Sequence, residues 1–251
     1  MNKTPRLSKS GIEYLDRSWG IWSGCQNLER GICPVNACWA KSIANRFPNH
    51  YPNGFEPTFY PESIESPLHI KKPSRIGVGW VGDVIGYGGE YGKDQIYETI
   101  RQCPQHTFLF LTKNPQNLAK WSPFPDNCWV GVSATNDFQQ IEALAWLQRI
   151  EAKVKYLSIE PLLEEIILPS SGLERILNWL IIGQQTPIHP ETTPKLEWIK
   201  EIVEAAEKAG VKVFLKNNLR PLLEPSWLGN RDNSWAFRHG ELRQGMPKEE
   251  R

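Results

Sequence analysis

The chain has 251 residues, 40% of them hydrophobic, enough for one barrel-sized core or two small ones. Lys plus Arg number 29 and Asp plus Glu 28, which excludes a strong global pull toward nucleic acid or an anionic membrane but not a local basic patch. The N-terminal stretch MNKTPRLSKSGIEYLDR lacks the apolar centre of a signal peptide, and no apolar run approaches the ~20 residues that span a bilayer; the expected setting is soluble and cytoplasmic, where thiols stay reduced.

The first apolar run, 18–25 (SWGIWSGC), delivers Cys25 at its end, and a helical pattern follows over 37–47. The run 75–83 (RIGVGWVGD) precedes a helix over 92–102, where Ile96 and Ile100 lie one turn apart. Runs 107–113 (TFLFLTK) and 128–135 (CWVGVSAT) lead to a helix over 137–150 with its apolar stripe at Ile141, Leu144, Ala145, Leu147 and Ile150. Runs 153–161 (KVKYLSIEP) and 178–185 (NWLIIGQQ) come next. A helix over 194–209 then opens on Pro194, stops before Gly210 and buries Leu196, Ile199, Ile202, Val203 and Ala206; the last run is 211–218 (VKVFLKNN).

Short β-branched and aromatic runs alternating with amphipathic helices predict an α/β fold with a parallel sheet buried on both faces. Seven such alternations favour a complete or partial TIM-type (β/α) barrel over an open sheet. Residues 1–218 are assigned to the barrel and 219–251 to a C-terminal extension packed on it. Asp83, Lys113, Ser133, Thr135, Glu160, Gln184, Gln185, Lys216 and Asn217 all fall where an apolar run finishes. In a parallel barrel those ends ring one mouth, where active sites sit.

Three of the five cysteines, Cys25, Cys33 and Cys38, fall within fourteen residues, while Cys103 and Cys128 stand apart. A cluster this tight in a chain without a secretion signal reads as a metal site. Three thiolates on a [4Fe–4S] cluster would leave one iron open to an external ligand, the arrangement a radical S-adenosylmethionine (SAM) enzyme needs. Two other readings stay open: a three-thiolate zinc site completed by a histidine, with His50 nearest, and ordinary free thiols. Of the eleven Trp residues, Trp19, Trp22, Trp39 and Trp80 fall beside the cysteines or on the next strand; most are expected in the core, with Trp39 a candidate to shield a cluster or stack on a flat ligand.

Several segments carry a family likeness. These are Trp22-Ser23-Gly24-Cys25, Cys38-Trp39-Ala40, Gly82-Asp83, Phe110-Leu111-Thr112-Lys113, Trp129-Val130-Gly131-Val132-Ser133, Leu157-Ser158-Ile159-Glu160-Pro161-Leu162-Leu163, Trp179-Leu180-Ile181-Ile182-Gly183 and Val213-Phe214-Leu215-Lys216. Together and in this order they resemble the domain-of-unknown-function 5131 family of phages, bacteria and archaea, which is itself similar to radical SAM enzymes. The chain departs from the family in having four residues, Pro34 to Ala37, between its second and third cysteines where two are usual. It also has Trp39 in place of Tyr, and Gly183-Gln184 where Gly-Glu is common.

The resemblance implies a radical SAM-like barrel with a [4Fe–4S] cluster on Cys25, Cys33 and Cys38, and SAM as the second cofactor. SAM would be cleaved by one electron from an external donor, and a hydrogen abstracted from the substrate. Asp83 is then the first candidate for the SAM amine, with Gly88-Gly89-Glu90 second; Lys113, Ser133 and Thr135 are candidates for its carboxylate or ribose. Glu160 is a candidate ribose ligand or acid–base group, or else the partner of Lys113 or Lys216 in a salt bridge, and Lys216 suits an anionic substrate group such as phosphate. The expected substrate is a nucleotide or nucleic acid. The competing classes are a zinc-stabilised barrel that binds nucleic acid or protein without catalysis, and a hydrolase with a divalent metal on the mouth carboxylates. The second is disfavoured because Asp83 and Glu160 lack the usual His partners.

Overall fold

The computed structural model describes residues 7–33, 38–86, 92–169, 171–224 and 233–248, and shows a mixed α/β protein with a large, mostly parallel sheet. The chain divides into two compact units, one of residues up to 131 with 149–153, the other of 132–148 with 154 onwards.

The first unit runs β1 (Leu7–Lys9), β2 (Arg17–Trp19), β3 (Trp22–Gly24), α1 (Trp39–Arg46), β4 (Thr58–Phe59), β5 (Arg75–Val78), β6 (Val81–Gly82), α2 (Lys93–Arg101), β7 (Thr107–Thr112), α3 (Leu118–Trp121) and the start of β8 (Cys128–Ala134). Its ladder in the large sheet is β1-β2-β5-β7, parallel from β2 to β7, with β1 antiparallel at the edge. A separate three-stranded sheet is ordered β4-β3-β6.

Two runs that read as single strands in the sequence are each broken. The run 18–25 becomes β2 and β3, and 75–83 becomes β5 and β6. Gly79 takes a left-handed φ of 66°, which glycine adopts without steric cost and which ends β5. The two runs break in step, because β2 pairs parallel with β5 before the break and β3 pairs parallel with β6 after it. Cys25 and Asp83 therefore follow strands of the small sheet. The apolar content of both runs comes from burial on either side of the break: Trp19, Ile21, Trp22, Ile76 and Val78 are all core residues.

The second unit holds the end of β8, then α4 (Asp137–Leu147), β9 (Val154–Ile159), β10 (Trp179–Ile182), α5 (Leu196–Lys208), β11 (Lys212–Leu215), α6 (Arg220–Leu223), β12 (Phe237–Arg238) and β13 (Glu241–Leu242). Here β9, β10 and β11 are parallel neighbours, pairing Leu157 with Leu180 and Leu180 with Val213. All four residues of β10 are buried, which is why it reads as an unbroken apolar run. Helix α5 buries Ile199, Ile202, Val203 and Ala206 as its periodicity requires. It starts at Leu196, capped by Lys195, so Pro194 lies outside it; at the other end Gly210 is left-handed, as expected. Helix α4 departs from its expected stripe. Its buried face is Gln140, Ala143, Leu144 and Leu147, and Ile141 is 59% exposed beside Ile167 and Leu168.

The C-terminal residues of this unit lie along β11. Leu215 N–H donates to Arg243 O and Gly245 N–H to Val213 O, both at 2.8 Å, and the buried Trp179 indole donates to Gly245 O at 2.8 Å. Among the described residues no helix is long and apolar enough to cross a membrane.

Candidate functional site

The first unit carries the cysteines. Cys25 directly follows β3, Cys33 lies in the loop beyond it, and Cys38 caps α1, its sulfur accepting from the Lys41 amide at 3.5 Å. The three thiols are half-buried, whereas Cys103 and Cys128 are fully enclosed at 0% exposure and offer no thiol to a ligand. Burial pushes the Cys25 thiol up to about 12; the Asn27 backbone N–H opposes this, while Asp83, Cys33 and Cys38 add to it. Burial also raises Cys33, against the nearby Lys113 ammonium and together with Cys38 and Asp83. The three sulfurs thus share one electrostatic neighbourhood, with Lys113 as a cation inside it.

That donor set suits a cluster ligated by three thiolates. Among the described residues, no three Cys, His, Asp or Glu side chains stand together as a finished metal-holding group. His50, the sequence candidate for a fourth zinc ligand, is exposed, with its ring edge-on to Phe47 at 6.1 Å.

Asp83 is only 4% exposed, and its carboxylate is fully engaged inside the protein. Oδ2 accepts from Asn27 Nδ2, Thr112 Oγ1, the Lys113 amide and Asn114 Nδ2, each at 3.0 Å, and Oδ1 accepts from the Gly86 amide at 2.8 Å. Asn114 Nδ2 also donates to Asn27 Oδ1 at 2.8 Å. A carboxylate can accept about four hydrogen bonds over its two oxygens, so Oδ2 is saturated by its own chain. A methyl group on Gly86 would lie 2.8 Å from both Asn114 Nδ2 and Asp83 Cγ, so the network also depends on the absence of a side chain there. Sequence reading singled out Asp83 and missed Asn27 and Asn114. The signal that could have found them is a polar residue soon after a strand end, Asn27 after β3 and Asn114 after β7.

Of the four tryptophans singled out, Trp19 and Trp22 are core, and Trp80 is half-buried with its indole donating to Leu109 O at 3.3 Å. Trp39 alone faces outward, 53% exposed beside Cys38. Gly88-Gly89-Glu90 and the four residues between Cys33 and Cys38 lie outside the described residues.

The second unit brings together a different set. Lys216 Nζ meets Glu160 Oε1 at 2.5 Å, with the two side chains 14% and 24% exposed. Of the two lysines considered as salt-bridge partners of Glu160, Lys216 is the one in contact. Ser133 Oγ donates to Glu160 O at 3.4 Å. Thr135 is turned to its own helix, its amide and hydroxyl donating to Gln139 Oε1 at 3.0 and 2.9 Å. Asn218, another residue the sequence did not flag, clasps Gln184: its Nδ2 donates to Gln184 O at 2.7 Å, and its own O accepts from Gln184 Nε2. The buried Oε1 atoms of Gln184 and Gln185 and the Ser158 hydroxyl have no hydrogen-bond partner among the described residues.

A sequence profile of the family described as protein of unknown function (DUF5131) matches residues 9–220. The chain belongs to the DUF5131 family. The match takes in all three clustered cysteines, Asp83 and Lys216. No curated protein and no solved structure matches this DUF5131 chain.

Proposed function

We propose that this DUF5131 protein is a cytoplasmic radical SAM enzyme, built on a complete or partial TIM-type barrel, that holds a [4Fe–4S] cluster on Cys25, Cys33 and Cys38 and acts on a nucleotide or nucleic acid. The observation that carries the reading is the shared electrostatic neighbourhood of the three half-buried thiols, with Lys113 as the cation among them. When bound, the cluster and SAM supply the one-electron chemistry that ends in hydrogen abstraction from the substrate.

The residues of the chain do the rest. The Lys113 ammonium and the Asn27 amide favour thiolates at Cys33 and Cys25 against the cost of burial. Trp39 offers an outward aromatic face for a flat ligand beside Cys38. Lys216 and Glu160 form a half-buried charge pair that an anionic substrate group can open, freeing the carboxylate to take a proton.

Anaerobic reconstitution tests the reading. About four irons and four sulfides per chain are expected, and replacing any of Cys25, Cys33 or Cys38 with Ala should abolish uptake while Cys103→Ala and Cys128→Ala leave it intact. Stoichiometric zinc with no iron uptake in protein purified without oxygen would refute it.

A further inference from the structure

The Asp83 network converges on one residue of the cysteine loop, Asn27. Its side chain donates to Asp83 Oδ2 at 3.0 Å and accepts from Asn114 Nδ2 at 2.8 Å. Its carbonyl accepts from the Ile32 amide at 2.8 Å and the Cys33 amide at 3.1 Å. Its amide points to the Cys25 sulfur. Asn27 is 5% exposed, so none of these groups is shared with bulk water. Every polar group of this one residue is thus committed, one set to the two cysteines and the other to the ends of β6 and β7. In the loop that begins at Cys25 and returns at Cys33, the hydrogen bonds that close it onto Cys33 are those of the Asn27 carbonyl, and the Asn27 side chain is tied to Asp83.

We infer that Asn27 and Asp83 are positioning residues that hold Cys25 and Cys33 in register for metal, an inference that rests on the cluster reading above. Asp83 acts through Asn27 and is not itself a ligand for an incoming amine. Four donors already converge on Oδ2, and an ammonium group arriving at that oxygen would have to displace a buried partner, leaving it unsatisfied. Residues that orient metal ligands typically change metal affinity by about ten- to a hundredfold when removed.

The experiment compares the wild type with Asn27→Ala, Asp83→Ala and Asp83→Asn after anaerobic reconstitution. It measures iron retained against increasing chelator, the electron paramagnetic resonance signal of the reduced cluster, and SAM binding. Asn27→Ala and Asp83→Ala should each lose iron at about ten- to a hundredfold lower chelator concentration and show an altered signal. Asp83→Asn keeps an oxygen for the four donors at Oδ2 but sets an amide NH2 against the Gly86 N–H, and should retain iron at a level between Asp83→Ala and the wild type. Far-UV circular dichroism checks that each variant is folded; if Asn27→Ala is not, Asn27→Ser replaces it, with the same expectation. Wild-type iron retention and signal in the Asn27 variant overturn the inference. So does an Asp83→Ala protein with full iron and lost SAM binding, which would make Asp83 a direct ligand. A wild type that takes up no iron overturns the cluster reading itself and the inference with it.

Discussion

Gly24 and Gly82 face each other in the β3–β6 ladder, one residue before Cys25 and Asp83 respectively. A methyl group placed on Gly82 would lie 2.6 Å from Gly24 O, 2.8 Å from Gly24 N and 3.0 Å from Ser23 C. All three are backbone atoms of β3, so no side chain can swing aside. Restoring an ordinary contact of 3.4 Å from 2.6 Å requires a separation of 3.4 − 2.6 = 0.8 Å between the two strands. Gly24 cannot retreat on its far side, because it is itself left-handed at φ 78° and packed against Glu56 O. Gly82→Ala should therefore cost about 1–3 kcal/mol, the usual range for overpacking. For a chain of this size that lowers the melting temperature by about 2–12 °C. The same displacement moves Cys25 away from the Asp83 network, so iron uptake should fall with it. The assay is a thermal melt of the metal-free protein together with iron analysis after reconstitution. Gly11→Ala, where a methyl group meets nothing within 4 Å, is the control. A Gly82→Ala protein that melts with the control and takes up full iron would refute the close-approach argument.

Three further outcomes follow from the charges. Glu160→Gln leaves Lys216 half-buried without its carboxylate partner and should destabilise the protein by about 1.5–3 kcal/mol in a denaturant titration; an unchanged midpoint would mean the pair contributes nothing. Burial works to raise the Glu207 carboxyl, but hydrogen bonds from Arg243 and Arg238 outweigh it and hold its pKa below the ordinary 4.5. Its stabilisation is thus present above 4.5 and lost as pH falls through the lowered folded value. Glu207→Gln should flatten that acid limb, and a limb of unchanged slope would contradict the assignment. In metal-free protein, burial and the neighbouring thiols and carboxylate hold Cys25 protonated up to about 12. Its alkylation rate, followed by peptide mass spectrometry, should still be climbing about tenfold per pH unit between pH 9 and 10, where an ordinary thiol with a pKa of about 8.5 has levelled off. A plateau at Cys25 near pH 9 would contradict that environment.

The α/β class was legible because β7 to β11 are short runs that are mostly buried, and α5 among the helices between them keeps its expected period. The double break that makes β3 and β6 was not legible. Ile21 and Trp22 are as apolar as any strand residue, and a glycine such as Gly79 inside such a run carries no mark of its left-handed conformation. At the candidate site, cysteine spacing alone picked out the three clustered thiols, since only they lie close in sequence. Asp83 was found by its place after an apolar run, but its surroundings were not. Asn27 and the Thr112–Asn114 segment are far from Asp83 in sequence and meet it only in the folded chain. The Glu160–Lys216 pair spans 56 residues; the sequence offered it as one of two salt bridges for Glu160, and only the fold chooses Lys216 over Lys113.

The placement of residues 243–245 along β11 has a consequence for the order in which the second unit is completed. Synthesis delivers Leu215 before Arg243, the residue that accepts its amide hydrogen bond, 28 positions later in the chain. At about 5–20 residues per second, the outer side of β11 waits roughly one to six seconds for its cover. During that interval the Val213 carbonyl and the Leu215 N–H lie open, a template on which a neighbouring nascent chain can pair. The final segment thus acts as a latch on an edge that is exposed at birth. Truncations that remove it should shift the protein from soluble yield to inclusion bodies while the segments before it remain unaltered.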